Sequence, residues 1–271
     1  NGTNILLDFV FVVGLGWGVA GVAWATVVAE VLALVVGCLV VLRHIRTQSP
    51  RLGISRSKLL DRAANATLFS VNRDIMIRTL CLIFAFAWFT NEGVKSGDLL
   101  LAANAIRMQF VSFSAFFLDG FALAGEALVG SAVGARNRRL LMTTLRHITE
   151  LGFATSLLVA GILFTAGPWA IDLLTNVDEV RAASRAYLVW AVMAPPVSLW
   201  CYLLDGVFIG ATGTAEMRNA MILSLAVYLV VLPLLTAMFG NHGLWLSLHI
   251  YFVARALALA AYLPRIIYKT G

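Results

Sequence analysis

The stretch Arg43–Arg62 reads RHIRTQSPRLGISRSKLLDR and separates two long apolar regions of the chain. It contains six Lys and Arg residues against one Asp, together with a Pro and a Gly that interrupt regular structure. Loops rich in Lys and Arg are retained on the cytoplasmic side of a membrane. The stretch therefore predicts a cytoplasmic loop between membrane spans, and its side fixes the side of every later loop.

The composition is that of a membrane protein. Of the 271 residues, 61% are hydrophobic and 13% charged, and the mean hydropathy is +0.89. A soluble domain has about 45–50% apolar and about 25% charged residues. The basic residues occur in short loops, so we predict no nucleic-acid partner. Long apolar runs, without the short alternating segments of a β-barrel, predict an all-α integral membrane protein.

Apolar runs of about 20 residues mark the membrane spans. One short span is predicted near 4–13, and full spans near 19–42, 63–89, 99–134, 145–166, 186–209, 220–239 and 244–263. The loops assigned to the cytoplasm carry thirteen Lys and Arg residues, and the opposite loops carry three. This asymmetry predicts a cytoplasmic C-terminus. The short first span leads us to expect further helices before Asn1.

Three polar residues near the start of the chain are predicted to meet. Asn4 and Asp8 are four residues apart, so they share a helix face. The chain turns at Gly14–Gly18, and Thr26 then returns to about the depth of Asp8. An amide oxygen, a carboxylate and a hydroxyl are ligands that suit a proton or a small cation such as Na⁺. The alternative interpretation is a hydrogen-bond cluster at a helix end.

The span near 99–134 carries a polar face. At about 100° per residue, a narrow arc of this helix collects the following residues: Asn104, Met108, Ser112, Ala115, Asp119, Ala122 and Glu126. Ionisable groups inside a membrane are costly and usually face a cavity or a partner. The arc therefore predicts a helix that lines a water-filled or ligand cavity. The alternative is a packed helix interface built on small residues.

Two further spans carry polar residues in the membrane. Tyr202 and Asp205 share a face of the span near 186–209, and Leu-Asp-Gly occurs both at 118–120 and at 204–206. Asp74 and Arg78 are four residues apart and are predicted to form a structural ion pair. The neighbouring residues Asn72 and Arg73 could line the same cavity or join a network between lobes.

Two other arginines, Arg107 and Arg255, are predicted to be interior partners of carboxylates. We find no catalytic triad order, HExxH or Gly-rich phosphate loop, and no Cys/His spacing for a metal. The chain is therefore predicted not to be an enzyme and to need no cofactor.

Taken together, these residues resemble those of the multidrug and toxic compound extrusion (MATE) transporters, in particular their DinF-like prokaryotic branch. The stretches that carry the resemblance are Asn4–Asp8, Gly18–Thr26, Asn72–Arg78, Phe121–Ala135, Asp205–Thr214 and Met217–Met221.

The resemblance implies a fold of two six-helix lobes around a central cavity. Residues 1–42 would be the last two helices of the N-lobe, 43–62 the cytoplasmic loop between lobes, and 63–271 the complete C-lobe. Asn4, Asp8 and Thr26 would belong to the N-lobe cation site. Another branch of the family has its cation carboxylates in the C-lobe, but the spacing around Asp205 differs from that pattern.

The resemblance also implies a function. The full-length protein would act as a monomer in the prokaryotic inner membrane, where it contacts lipids and exports amphipathic or cationic compounds in exchange for H⁺ or Na⁺. A lipid-linked oligosaccharide flippase of the same superfamily is the main alternative, and it would require a basic cavity for a pyrophosphate. An intramembrane enzyme or a non-transporting scaffold is the remote alternative.

Overall fold

The computed structural model describes residues 2–48 and 61–270, and these ranges are helical and contain no strand. The chain divides into two compact units, Asn1–Arg62 and Ala63–Gly271. The predicted all-helical fold is thereby confirmed. The roles of these parts as lobes stay predictions, and residues 49–60 of the predicted loop lie outside the described ranges.

The first unit is a helical hairpin. Its elements are α1 (Gly2–Asp8), a π-helical segment (Phe9–Gly14) and α2 (Gly18–Gln48). Gly16 and Gly18 turn the chain with φ angles of +69° and +53°, which glycine adopts without strain. Gly21 lies so close to Phe11 that an added Cβ would be 3.1 Å from its backbone carbonyl carbon. This close approach packs the two helices side by side.

The helix α2 is longer than the predicted span and includes the first residues of the predicted loop. It continues through Arg43 and ends at Gln48. Residues 43–48 contain neither Pro nor Gly, so the local sequence does not interrupt the helix where the apolar run ends. Apolarity marks where a helix crosses the bilayer but does not mark where the helix ends.

The second unit is built from the remaining helices. They are α3 (Arg62–Val94), α4 (Asp98–Gly134), α5 (Arg138–Leu174), α6 (Asp178–Ala186), α7 (Leu188–Gly210), α8 (Thr214–Phe239) and α9 (Asn241–Thr270). The short amphipathic helix α6 lies in a segment that the sequence assigned to an outer loop. Its acidic first turn and basic last turn complement the helix dipole.

Within the described ranges, seven helices are long and apolar enough to cross a membrane, and a shorter apolar helix covers Gly2–Gly14. They correspond to the seven full spans and the short span that the sequence predicts. The helices α4 and α5 have 37 residues each, which makes each about 55 Å long against a hydrocarbon core of about 30 Å. These helices therefore extend beyond the core or cross it with a tilt.

The second unit has a buried core between its helices. One cluster joins α3 to α9, where Phe89 packs edge-on against the fully buried Trp245 with ring centroids 5.1 Å apart. A second cluster joins α4, α5 and α7 around Leu118, Leu141 and Leu199. The helices α4 and α7 are in extensive contact, and this contact positions the polar pocket of the unit.

Candidate ion and ligand sites

In the first unit, the three predicted residues Asn4, Asp8 and Thr26 do meet. The Asn4 amide nitrogen lies 3.3 Å from the Thr26 hydroxyl, to which it donates. With the amide turned over, its nitrogen donates to Asp8 Oδ2 at 3.3 Å and its oxygen accepts from the Thr26 backbone N–H at 3.2 Å. The turned orientation satisfies both ends of the amide, so Asn4 links α2 to the Asp8 carboxylate.

The other oxygen of Asp8 has no hydrogen-bond partner in the part of the chain that the structure describes. Oδ1 is buried, and no donor from the described residues reaches it. A buried polar atom without a partner is costly, and a carboxylate oxygen is a hard ligand of the kind that small cations bind. Among the described residues, no group of three His, Cys, Asp or Glu side chains could hold a metal.

In the second unit, a pocket of about 260 Å³ opens between α3, α4 and α7. It brings together four of the predicted cavity residues, Asp119, Glu126, Tyr202 and Asp205, with Arg78. Its remaining lining residues are Ala122, Leu123, Gly206 and Ile209. The C-terminal half of the polar arc on α4 therefore faces polar residues of α7, as the arc predicts.

Two glycines of α7 bring this pocket together. A Cβ added at Gly206 would lie 2.0 Å from the carbonyl oxygen of Ala122, and one at Gly210 would lie 2.4 Å from that of Glu126. Glycines four residues apart allow two membrane helices to approach backbone to backbone. Since Asp205 directly precedes Gly206, this contact places its carboxylate beside the acidic face of α4.

Asp205 is held by two arginines. Arg78 of α3 and Arg255 of α9 both donate to Oδ2 of Asp205. The exposed fraction of the side chain is 6% for Asp205, 18% for Arg78 and 2% for Arg255. The predicted pairing of Arg255 with a carboxylate is confirmed, and the three side chains together carry one positive charge.

Asp119 and Glu126 make no ion pair within the described part of the chain. They are seven residues apart on α4, which separates them by about 10 Å along the helix axis. The pocket wall thus contains two carboxylates that are free to meet a ligand and a third that is already neutralised.

Three other predicted cavity residues lie away from this pocket. Asn104 and Met108 line a cavity of about 200 Å³ with Phe89 and Gly93. Ser112 lines an apolar groove of about 440 Å³ between α4 and α5. The single polar wall predicted for α4 is therefore divided, because the helix meets different neighbours along its length.

The predicted ion pair between Asp74 and Arg78 is wrong. Asp74 accepts from Arg218 of α8 at 2.6 Å and from its neighbour Arg73 at 3.1 Å, while Arg78 turns to Asp205. Spacing of four residues permits a pair, but longer-range partners compete for the same side chains. Asn72 and Arg73 are exposed in this unit and do not line the pocket of Asp205.

The prediction for Arg107 is also wrong, because its partners are neutral. This fully buried side chain donates to Oδ1 of Asn104 and, at 3.3 Å, to the carbonyl of Ala183 in α6. Its guanidinium lies over the rings of Tyr187 and Trp245, 4.8 and 5.4 Å from their centroids. Aromatic faces stabilise a cation in this way.

Asn104 is the centre of the same cluster. Its oxygen also accepts from the indole nitrogen of Trp245 at 2.9 Å, and its nitrogen donates to Asn241 at 2.8 Å. No spacing in the sequence links Asn104 to Trp245 or Asn241, so this cluster could not be predicted from the sequence.

The long apolar helices with charged residues in their interior are those of an integral membrane protein, and comparison with known proteins identifies the family. Residues 75–236 match the model of the MatE family. The chain therefore belongs to the MatE family.

Among curated relatives, DNA damage-inducible protein F of Escherichia coli K12 is 40% identical over 263 residues, which are 96% of this chain and 56% of that protein. Protein DETOXIFICATION 42 of Arabidopsis thaliana is 25% identical over 94% of this chain and 48% of its own length. The predicted MATE membership and the DinF-like branch are confirmed. The chain spans about half the length of these curated relatives.

Solved structures show the same fold. The Vibrio cholerae MATE transporter VcmN, in its bent form, superposes with a TM-score of 0.79 at 20% identity, over 99% of this chain and 60% of that chain. At this identity the likeness shows the fold alone.

Proposed function

We propose that the full-length protein is a secondary antiporter that exports amphipathic organic cations in exchange for H⁺ or Na⁺. The observation that carries this proposal is the lining of the pocket between α3, α4 and α7. Three carboxylates line it against one arginine, and the phenol of Tyr202 supplies an aromatic face. Carboxylates and aromatic rings are the groups that recognise an organic cation. Such a protein needs no cofactor beyond its coupling ion.

The lining opposes the flippase alternative. A pyrophosphate requires a surplus of positive charge, whereas Asp119, Glu126 and Asp205 outweigh Arg78 and the buried Arg255 by one negative charge. Transport also accounts for the charged interior without any catalytic constellation. The partners we propose are a small organic substrate and the lipids of a prokaryotic inner membrane. Neither nucleic acid nor a second protein copy is required.

We assign the coupling ion to Asp8. Its buried free oxygen and the link through Asn4 to α2 mean that a bound proton or Na⁺ changes the charge and hydrogen bonding between two helices. Coupling can be no larger than the difference in ion affinity between two conformations. One charge that crosses a potential of 100 mV supplies about 2.3 kcal/mol for transport.

The test uses the full-length protein in liposomes loaded with ethidium. Export is measured under an imposed pH gradient and, separately, under an imposed Na⁺ gradient, which distinguishes the two ions. Asp8→Asn is expected to abolish the dependence on the gradient. Asp178→Asn, which removes a carboxylate that is 91% exposed on α6, is expected to retain it. Gradient-driven export that survives Asp8→Asn would remove Asp8 from coupling, and no export by the unaltered protein would refute the proposed function.

A further inference from the structure

We propose that Arg78 is a specificity-determining residue that limits the ligands of this pocket to those with a single positive charge. The inference rests on the proposed function of cation export and adds the charge number of the substrate. It depends on which charges face the pocket and which are already compensated.

The charged side chains at the pocket have a net charge that one monovalent cation would neutralise. Asp119 and Glu126 contribute two negative charges that no arginine or lysine of the described residues pairs with. Asp205 with its two arginines contributes one positive charge. The sum is one negative charge. Charges act on one another more strongly in a partly buried pocket than in bulk water, so a ligand charge that differs from this sum by one unit is penalised.

Arg78 is the arginine that a ligand meets. It lines the pocket and keeps 18% of its side chain exposed, whereas Arg255 is 2% exposed and lies outside the lining. A guanidinium stays protonated over the whole physiological range. Arg78 therefore presents a permanent positive charge to the ligand, and it repels a second cationic group.

The position of Arg78 is fixed. It donates to Asp205, whose backbone is held against α4 by the contact of Gly206 with Ala122. The pocket of about 260 Å³ is smaller than the 300–1,000 Å³ of a typical drug site. It admits the charged head of an amphipathic compound, so any cationic group that enters lies close to Arg78 as well as to Asp119 and Glu126.

Ethidium and propidium provide a matched pair of probes, because they share one ring system and carry one and two positive charges. Binding of each to the purified full-length protein is followed by fluorescence titration. The unaltered protein is expected to bind ethidium more tightly than propidium. Arg78→Gln, which leaves Asp205 compensated by Arg255, is expected to shift the affinity ratio toward propidium by about tenfold or more.

Arg78→Lys is the control, because it keeps the charge and changes the shape. It is expected to leave the ratio of the unaltered protein within about threefold. If Arg78→Gln changes both affinities by the same factor, or changes neither, the proposal is overturned. A ratio shift of the same size in Arg78→Lys would also overturn it, because shape and not charge would then select the ligand.

Glu126→Gln tests the same charge sum if Arg78→Gln does not fold. It brings the sum to zero, so propidium binding is expected to fall more than ethidium binding, and equal losses would contradict the proposal. If the unaltered protein exports ethidium but Arg78→Gln leaves the ratio of the ethidium and propidium affinities unchanged, the role of Arg78 is overturned and the proposed function stays intact. If the unaltered protein neither binds nor exports ethidium, both are overturned.

Discussion

Replacing Gly206 by alanine tests the contact on which the pocket is built. The added methyl group would lie 2.0 Å from the carbonyl oxygen of Ala122, and the nearest ordinary van der Waals contact is 3.4 Å. The obstacle is backbone of a neighbouring helix, so no flexible side chain can move aside. We therefore expect α4 and α7 to separate by about 1.4 Å at this point, the difference between the two distances.

The magnitude is the balance of two opposing effects. Overpacking of a closely packed interior costs about 1–3 kcal/mol and occasionally more, and a backbone obstacle belongs at the upper end of that range. Alanine in place of glycine stabilises a helix by about 1 kcal/mol. The net loss for Gly206→Ala is therefore about 2 kcal/mol.

Two controls carry the same substitution without the obstacle. Nothing lies within 4 Å of an added Cβ at Gly120 or at Gly161, so alanine there is expected to be neutral or stabilising by up to about 1 kcal/mol. The contrast is sharp because Gly120 and Gly206 end the same tripeptide, Leu-Asp-Gly.

The assay is unfolding of the full-length protein in mixed micelles by added dodecyl sulfate, with helix content as the signal. A loss in stability of Gly206→Ala relative to both controls is expected, together with weaker ethidium binding. Equal stability of the three variants would show that α4 and α7 do not depend on this backbone contact. Unaltered ethidium binding by a destabilised Gly206→Ala variant would show that the pocket does not depend on it.

Two further predictions concern buried polar groups. Asp205→Asn leaves the buried guanidinium of Arg255 and the partly buried guanidinium of Arg78 without their ion-pair partner, and it is expected to cost about 3 kcal/mol in the same unfolding assay. Asp119→Asn breaks no ion pair and is expected to change stability by less than about 1 kcal/mol. Similar costs would contradict the account of the two carboxylates. Asn104→Leu removes the acceptor of Arg107 and is expected to cost about 2–4 kcal/mol in the free energy of unfolding. Ser112→Ala on the same helix is the control and is expected to change stability little. If Asn104→Leu is as stable as the unaltered protein, Arg107 does not depend on this acceptor.

Features set by local spacing could be predicted from the sequence. Apolar runs located the spans because the bilayer demands a length of about 20 residues. Asn4 and Asp8 could be placed on one face because a helix fixes residues four apart. Their contact with Thr26 was predicted because only a short turn intervenes.

Features set by distant partners could not be predicted in this way. Asp74 and Arg78 have the spacing of a pair, but Arg218 and Asp205, more than a hundred residues later, take their place. The choice depends on how α3 is rotated toward its neighbours, which spacing does not determine. In the same way, a buried arginine in an apolar helix suggests a carboxylate partner, and only the fold brings Arg107 between two aromatic rings.

The two polar clusters of the second unit share one helix. Arg107 and Asp119 both belong to α4, which runs without a proline from Asp98 to Gly134, so about 18 Å of continuous helix separates them. If a ligand in the acidic pocket shifted α4 along its axis by about 1 Å, the shift would exceed the range of distances over which a good hydrogen bond forms. The bond from Trp245 to Asn104 would lengthen with such a shift, so in a variant that keeps Trp245 as its single tryptophan, indole fluorescence should register occupancy of the acidic pocket without any added label.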